Sequence, residues 1–410
     1  MDETEGRIHL AVRAMPVTAG LGRAFARQRP LAGLLIAADL HLLPSTVPLL
    51  LAYREAGARL VVSGSNPAST SDGVARWLAR RPGIEVVPDG GGRPVAAALL
   101  DRRPDVVIDE ADALLGLLHA ERPEQLDGLI GACVHTLTGV RRVRGLAARR
   151  GLGLPVMAVD GSALKGTFDN RHGTGASALD AVVALTNVSL AGSVTVVVGF
   201  GAVGRGIAER ARGLGAQVLV TEIDPYRALE AHALGHRVSP LAAAAREATV
   251  LITATGSIRV VRAEHLALLP DGAILASAGH GSVEIDRAAL AAGRTTRTVR
   301  PGVEEFTDPA GRSVLLLADG NPVNTAGGPG HAAAAMDLSF AAQALAVVDL
   351  VTRRPPPGLH ELDEGIQRQV ARLAVEARSI PLDLPSPGHE VYTSHLTGEP
   401  ERAASDTPER

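Results

Sequence analysis

The sequence contains almost no lysine. Of its 41 lysine and arginine residues, all but Lys165 are arginine, and Lys165 lies in the stretch SALKGTFDN (162–170). An exposed cation could be arginine at little cost, but a guanidinium stays charged, whereas a buried ammonium shifts its pKa readily. We therefore take Lys165 as a candidate for proton chemistry, a residue that must be able to lose its proton. The alternative is a surface residue without a function.

Cysteine, aromatic residues and clustered positive charge are also scarce. The single cysteine, Cys133, excludes an internal disulfide and a multi-cysteine zinc site, so no metal is expected. A net charge of −3 without a dense basic run leaves no footprint for nucleic acid. The acidic start MDETEGRIHL does not resemble a signal peptide, and no apolar run is long enough to span a bilayer. We expect a cytoplasmic protein that binds neither nucleic acid nor membranes.

Short apolar runs alternate with helical patterns along the first half of the chain. Strand-like runs at 31–39, 59–66 and 104–112 alternate with helical stretches at 46–58 and 70–83. This order predicts βαβ units and a parallel sheet covered by helices. A second system begins near residue 190 and is followed by helical stretches, the first at 332–354. The polar end, 398–410, has no periodicity and is predicted to be disordered.

A glycine motif opens this second system. Gly199, Gly201 and Gly204 form GxGxxG between the strand-like VTVVV and a helical pattern, and Glu222 ends the next strand-like run. Such glycines let the backbone approach a pyrophosphate at the positive end of a helix, with an acidic ribose ligand about 20 residues further on. Glu222 would repel a 2′-phosphate, which favours NAD over NADP, although the nearby Arg227 weakens this preference. The alternative is a tight turn without a ligand.

Six motifs in series resemble those of one family, the S-adenosylhomocysteine hydrolases. They are DGSALKGTFDN (160–170), GFGAVGRG (199–206), TEIDP (221–225), TATGS (253–257), AGHGSVEID (278–286) and GNPVNTAGGPGHAAAAMDLSF (320–340). The resemblance implies an α/β fold in which a Rossmann-type NAD-binding domain is inserted in a split α/β substrate-binding domain. We place the substrate-binding domain at 1–172 and 332–382, the NAD-binding domain at 173–331 and a partly disordered tail at 383–410. It also implies a homo-oligomer, either a dimer or a tetramer.

The resemblance further implies an NAD-dependent and redox-neutral reaction on a small-molecule nucleoside. In that family the ribose 3′ hydroxyl is transiently oxidised, and this acidifies the 4′ proton. A base removes the proton, and the 5′ substituent leaves by β-elimination before water adds and the sugar is reduced again. The cycle requires tuned acids and bases within one crevice.

Site residues of the family map onto this sequence position by position. The catalytic set is Lys165, Asp169, Asn170, Glu110, His41 and His280. The substrate-binding set is Asn66, Ser69, Thr70, His135 and His331, and the cofactor-binding set is Gly199, Gly201, Gly204, Glu222, Thr136, Thr138, Thr255 and Asn324. Lys165 and Asp169, four residues apart, would be neighbours on a helix. A purely structural ion pair would have the same spacing.

Several positions depart from the family pattern. Leu43 and Ser45 stand where the family has a Thr and a Glu that recognise adenine, and His135 replaces a glutamate near the ribose. Because the redox residues look retained while base recognition looks changed, the leading hypothesis is a nucleoside dehydratase of specialised metabolism, in which nothing adds after elimination. The alternatives are a genuine S-adenosylhomocysteine hydrolase, a non-catalytic NAD-binding regulatory protein and an ordinary dehydrogenase.

Overall fold

The computed structural model describes residues 2–88, 92–110, 113–279 and 281–384. Its strands, in chain order, are β1 (Leu35–Leu40), β2 (Arg59–Gly64), β3 (Ile84–Val86), β4 (Val106–Asp109), β5 (Gly131–Val134), β6 (Pro155–Ala158), β7 (Val194–Val198), β8 (Gln217–Thr221), β9 (Arg237–Val238), β10 (Val250–Thr253), β11 (Ala273–Ser277), β12 (Thr295–Arg300), β13 (Val303–Thr307), β14 (Ser313–Leu317) and β15 (Gly358–Glu361). The predicted disordered end at 398–410 lies outside the described residues.

Helices cover both faces of the two sheets that these strands form. The α-helices are α1 (Glu3–Ala14), α2 (Pro16–Gln28), α3 (Val47–Glu55), α4 (Asp72–Ala79), α5 (Gly92–Leu100), α6 (Ala113–Glu121), α7 (Leu137–Arg150), α8 (Gly175–Thr186), α9 (Ala202–Gly213), α10 (Pro225–Ala233), α11 (Leu241–Ala245), α12 (Ala263–Leu266), α13 (Arg287–Ala291), α14 (Val323–Ala326), α15 (Ala333–Arg353) and α16 (Glu364–Ala377). A π-helix spans Lys165–Thr174, and 3₁₀ turns span Pro44–Thr46, Pro67–Ser69, Pro123–Gly128 and Ala318–Gly320.

The two sheets share one winding pattern. The first has the order β15-β6-β5-β4-β1-β2-β3, with every pair parallel. In the second, β14-β11-β10-β7-β8-β9 are parallel, and β13 and β12 extend the edge in antiparallel fashion. In both parallel arrays the chain adds strands on one side of the first strand and then continues on its other side, as doubly wound dinucleotide-binding folds do. The predicted α/β fold with a Rossmann-type unit is confirmed.

The chain leaves the first sheet, builds the second and then returns. β6 ends at Ala158, the second sheet uses residues between 194 and 317, and β15 then pairs with β6 in parallel. The returning helix α15 packs into the core of the first sheet together with α2 and α3. The domain boundaries at 172 and 331 stay a prediction.

Helix α15 corrects the expectation that no apolar run in the chain is long enough to span a bilayer. It is long and apolar enough to cross a membrane by length and composition, with a mean hydropathy of 1.6 in its most apolar window. That window is 67% buried inside the protein, which is typical of a core helix. Its Asp337 accepts hydrogen bonds from the Val17 and Thr18 N–H groups (3.1 and 2.8 Å) and so caps α2.

Candidate active site

The crevices of the two sheets open onto one cavity of about 270 Å³. Ligands of open α/β sheets bind outside the carboxyl ends of the strands, where the winding reverses. The cavity is lined by residues that follow β1, β4, β5 and β6 of the first sheet and β7, β10, β11 and β14 of the second. They include His41, Glu110, His135, Thr136, Thr138, Asp160, Gly201, Ala254, Thr255, Gly279 and Asn324. The cavity therefore lies between the two parallel arrays.

The π-helix brings Lys165 and Asp169 into direct contact. Lys165 Nζ donates to Asp169 Oδ2 at 2.6 Å, and both side chains are almost fully buried. Ser339 on α15 donates its hydroxyl to the same oxygen at 2.7 Å. π-Helical segments are rare and recur at functional sites. The predicted neighbours thus form a buried ion pair that also holds the returning helix.

Charge neighbours outweigh burial in setting the ionisation of this pair. Burial alone would lower the pKa of Lys165, but Asp169, Asp160 and Glu110 raise it above its ordinary value. Burial alone would raise the pKa of Asp169, but the ammonium of Lys165 holds it well below its usual range. At neutral pH the pair is therefore an ammonium and a carboxylate. This corrects the expectation that Lys165 readily gives up its proton in the resting site.

Two histidines flank Asp169. His331 Nδ1 lies 3.3 Å from Asp169 Oδ1, and its Nε2 is 2.9 Å from Thr174 Oγ1. Burial lowers the pKa of His331, so its ring is neutral at pH 7. His135 Nε2 lies 3.6 Å from Asp169 Oδ2, and its ring packs against Phe340 with centroids 5.2 Å apart. Among the described residues, neither ring nitrogen of His135 nor Asp169 Oδ1 has a hydrogen-bond partner.

His41 reaches the cavity from the end of β1. Its Nδ1 is 2.5 Å from Ser69 Oγ, and its backbone carbonyl accepts a hydrogen bond from Thr46 Oγ1 at 2.5 Å. Asn66 and Thr70 do not line the cavity; Asn66 Oδ1 accepts from Ala68 N and Thr70 Oγ1 donates to the Asn66 carbonyl, both at 2.9 Å. Ser69, from the same predicted substrate loop, does not line the cavity but contacts His41, which does.

Two further predicted catalytic residues, Glu110 and Asn170, lie near the pair. Glu110 is buried in the cavity wall, and its backbone carbonyl accepts from Thr136 Oγ1 at 2.5 Å. Asn170 donates its side-chain amide to Asp160 Oδ2 at 3.2 Å, which ties the π-helix to the end of β6. His280 lies outside the described residues. Within 2–88, 92–110, 113–279 and 281–384, no three His, Cys, Asp or Glu side chains are grouped to hold a metal ion.

The glycine turn fits a dinucleotide. Gly199 has a φ of +95°, which favours glycine, and a Cβ at Gly204 would overlap the Gly199 carbonyl. Gly201 and the first residues of α9 line the cavity, so the N-terminus of α9 faces it. Glu222 accepts the Phe200 and Ile223 N–H groups, each at 2.7 Å, and fixes this turn to the end of β8. These residues would hold NAD with its pyrophosphate at α9.

A buried glutamate that the sequence did not single out organises the next loop. Glu284 has no exposed surface and accepts hydrogen bonds from Thr255 Oγ1 at 2.7 Å, Thr255 N at 3.1 Å and Gly256 N at 2.7 Å. Asn324, another predicted cofactor residue, donates its amide to Ser177 Oγ at 3.3 Å. Glu284 lies within AGHGSVEID, so the signal was one of two acidic residues in a predicted ligand loop.

Known proteins resemble this chain over most of its length. Residues 170–330 match the family model described as S-adenosyl-L-homocysteine hydrolase, NAD binding domain. The S-inosyl-L-homocysteine hydrolase of Methanothermobacter thermautotrophicus is 42% identical over 387 residues, which cover 92% of this chain and 93% of that protein. The adenosylhomocysteinase of Gloeobacter violaceus is 42% identical over 401 residues, with coverages of 96% and 94%.

Solved structures resemble the chain less closely. The pyruvate reductase of Chlamydomonas reinhardtii aligns with 80% of this chain and 100% of its own, at 14% identity and a TM-score of 0.44. This likeness is too distant to carry a functional argument.

Proposed function

Because the chain belongs to the S-adenosyl-L-homocysteine hydrolase family, an NAD-dependent enzyme family, we propose that it cleaves and forms the thioether of an S-nucleosyl-L-homocysteine. One observation carries the proposal: the buried Lys165–Asp169 pair lies beside His135 at the cavity, where Asp169 Oδ1 and both ring nitrogens of His135 make no hydrogen bond to the described residues. The relatives support a hydrolase rather than a dehydratase, so the order of our two leading hypotheses is reversed.

The unpartnered atoms suit a sugar with neighbouring hydroxyl groups. A buried acceptor without a donor costs roughly 1–3 kcal/mol, and a ligand hydroxyl would recover this. Asp169 Oδ1 can accept from one hydroxyl, while the ring nitrogens of His135 can hydrogen-bond to the next. In this proposal Asp169 and His135 bind adjacent sugar hydroxyls.

Lys165 is the proposed proton-exchanging group for the sugar hydroxyl. When a ligand excludes water from the cavity, the charged forms of Lys165 and Asp169 both become less favourable. A shift of the proton from Nζ to the carboxylate over their 2.6 Å contact would leave an amine that accepts the hydroxyl proton. NAD, when bound, supplies the hydride acceptor for the sugar carbon. His41 and His331, which also line the cavity, are the proposed groups that remove the 4′ proton and protonate the leaving 5′ substituent.

Neither the relatives nor the cavity lining specify which nucleobase the substrate carries. The two relatives differ there, since one name states inosyl and the other adenosyl. Leu43 and Ser45 line the cavity next to Thr46, whose hydroxyl is already bonded to the His41 carbonyl. A serine hydroxyl can donate or accept, so it does not by itself favour a 6-amino over a 6-oxo purine. We therefore propose a purine nucleoside and test both bases.

Mass spectrometry of adenosine or inosine with the protein in heavy water, with and without L-homocysteine, tests the proposal. Thioether formed only with homocysteine supports the hydrolase. Loss of water from the nucleoside without a thioether supports the dehydratase, whose warrant is the altered Leu43, Ser45 and His135 positions. If the protein retained NAD but neither nucleoside gained deuterium or gave a product, the hydrolase and dehydratase hypotheses would both be contradicted. A non-catalytic NAD-binding protein would then remain.

A further inference from the structure

The helix that carries the catalytic pair packs backbone to backbone against the cofactor helix. A Cβ at Gly206, in the second turn of α9, would overlap the carbonyl oxygen of Arg171 in the π-helix. A Cβ at Gly175, where α8 continues the π-helix, would lie 2.6 Å from Gly206 Cα. No side chain separates the two helices there, so neither can shift without disturbing the other.

An ion pair fixes the same junction from its outer side. Arg171 binds Glu209 of α9 through two parallel hydrogen bonds: its Nε lies 2.9 Å from Oε2, and its terminal nitrogen contacts Oε1. Such a planar fork sets orientation as well as distance. Arg171 is two residues from Asp169, whereas Glu209 lies two turns along α9 from the residues that line the cavity.

A π-helix depends on outside contacts more than an α-helix does. Its hydrogen-bond pattern is rarely stable beyond a single turn, and this one spans ten residues, from Lys165 to Thr174. If the segment rewound as an α-helix, Lys165 and Asp169 would stay neighbours, but the pair would rotate relative to Ser339 on α15 and to the cavity. The contacts of the π-helix with Gly206 and Glu209 are therefore placed to stabilise it against rewinding as an α-helix.

We propose that this junction positions the catalytic pair in response to the cofactor. NAD at the N-terminus of α9 restrains that helix, and α9 restrains the π-helix through Gly206 and the Arg171–Glu209 fork. Arg171 and Glu209 are positioning residues, since neither lines the cavity. The effect on turnover rests on the proposed function, but the effect on the order of the π-helix requires only that the protein binds NAD.

Hydrogen exchange of NAD-free and NAD-loaded protein tests the part that needs no substrate. The variant is Glu209→Gln, and the matched control is Glu230→Gln, which breaks the similarly half-buried Arg205–Glu230 pair between α9 and α10. We expect NAD to slow exchange in 165–174 by about tenfold or more in the wild type and the control, and by less than about threefold in Glu209→Gln. The proposal would be overturned if NAD slowed exchange in 165–174 equally in Glu209→Gln and Glu230→Gln, or if it slowed exchange in neither variant.

Turnover gives an independent test with a charge-swapped rescue. For Glu209→Gln we expect kcat to fall about tenfold, because small misplacements of catalytic groups are costly, while the NAD Kd stays within about threefold. Arg171→Glu combined with Glu209→Arg should recover part of kcat. A loss that follows NAD affinity, or an equal loss in Glu230→Gln, would contradict positioning. Inactive wild-type protein would count against the proposed function alone, because hydrogen exchange still decides the junction.

Discussion

His135 Nε2 and Asp169 Oδ2 lie 3.6 Å apart in a buried site, beyond hydrogen-bond distance, and neither ring nitrogen of His135 has a partner among the described residues. The protein therefore keeps an imidazole without a hydrogen bond next to a buried carboxylate. Such a group costs stability unless a ligand uses it. The relationship makes His135 a test of function and stability together.

Replacing His135 with Phe should separate these two effects. We expect kcat/KM for the ribonucleoside substrate to fall about 100-fold, because a buried hydroxyl loses its partner, while the free energy of unfolding stays equal or rises by up to about 1 kcal/mol. The ratio between ribo- and 2′-deoxyribonucleoside activity should shrink as well. Steady-state kinetics and urea unfolding measure these quantities.

His119 supplies the control for that substitution. Its Nδ1 is 2.9 Å from the Leu115 carbonyl, and its Nε2 accepts from Gly153 N at 3.3 Å, away from the cavity. His119→Phe should therefore destabilise the protein and leave the ribo-to-deoxy ratio unchanged. If both variants lost stability equally and kept the ratio, His135 would be an ordinary core residue.

Lys165→Arg tests whether proton exchange, rather than positive charge, is the function of the only lysine. The variant keeps a cation near Asp169 but cannot give up a proton at any working pH. We expect turnover to drop by about 10³-fold or more while NAD stays bound, since the glycine turn and Glu222 are untouched. Product formation and NAD content of the purified variant are the measurements. Activity near that of the wild type would exclude Lys165 as a proton carrier.

Stability should fall on mild acidification because of His331. Burial lowers the folded-state pKa of His331, so between that value and its unfolded pKa near 6.5 the unfolded chain binds a proton that the folded chain does not. The free energy of unfolding therefore rises with pH in this window. His331→Gln should flatten the slope between about pH 6.5 and 5 in urea titrations.

The Lys165–Asp169 pair contributes little to that slope. The lowered pKa of Asp169 gives stability that is present above its unfolded pKa near 3.9 and is lost as pH falls through its folded value. The raised pKa of Lys165 gives stability that is present below its unfolded pKa near 10.4 and is lost as pH rises through its folded value. A slope between pH 6.5 and 5 that persists unchanged in His331→Gln would assign the effect to other groups.

Gly206→Ala should be destabilising although it adds a better helix former. The new Cβ would overlap the Arg171 carbonyl, and overpacking of this kind costs about 1–3 kcal/mol. Gly213→Ala is the control at the end of the same helix, where no heavy atom lies within 4 Å of the added carbon. That variant should be neutral or gain up to about 1 kcal/mol. Thermal unfolding of both variants measures the difference. Equal melting temperatures would mean that the π-helix and α9 can move apart at Gly206 without loss of stability.

The parts of the site that local patterns encode could be predicted from the sequence. The spacing of Lys165 and Asp169 and the glycines that open α9 follow from helix geometry and backbone sterics. Ser339 could not be predicted, because its contact with Asp169 joins residues 170 positions apart. The backbone contacts of Asn66 and Thr70 are of the kind that Asn and Thr make in turns, and the role of both residues in substrate binding stays a prediction.

The buried carboxylate of Glu284 should control cofactor affinity from behind the loop that lines the cavity. Glu284→Gln replaces one acceptor oxygen with an NH₂ group, so either the two Thr255 donors or the Gly256 N–H loses its acceptor, at a cost of about 1–3 kcal/mol. We expect the NAD Kd, measured by calorimetry on NAD-free protein, to rise about tenfold or more. Glu264→Gln, which changes an exposed carboxylate paired with Arg262, should leave it unchanged. An unaltered Kd in Glu284→Gln would show that the loop keeps its shape without the carboxylate, and that Thr255 is held by its own turn.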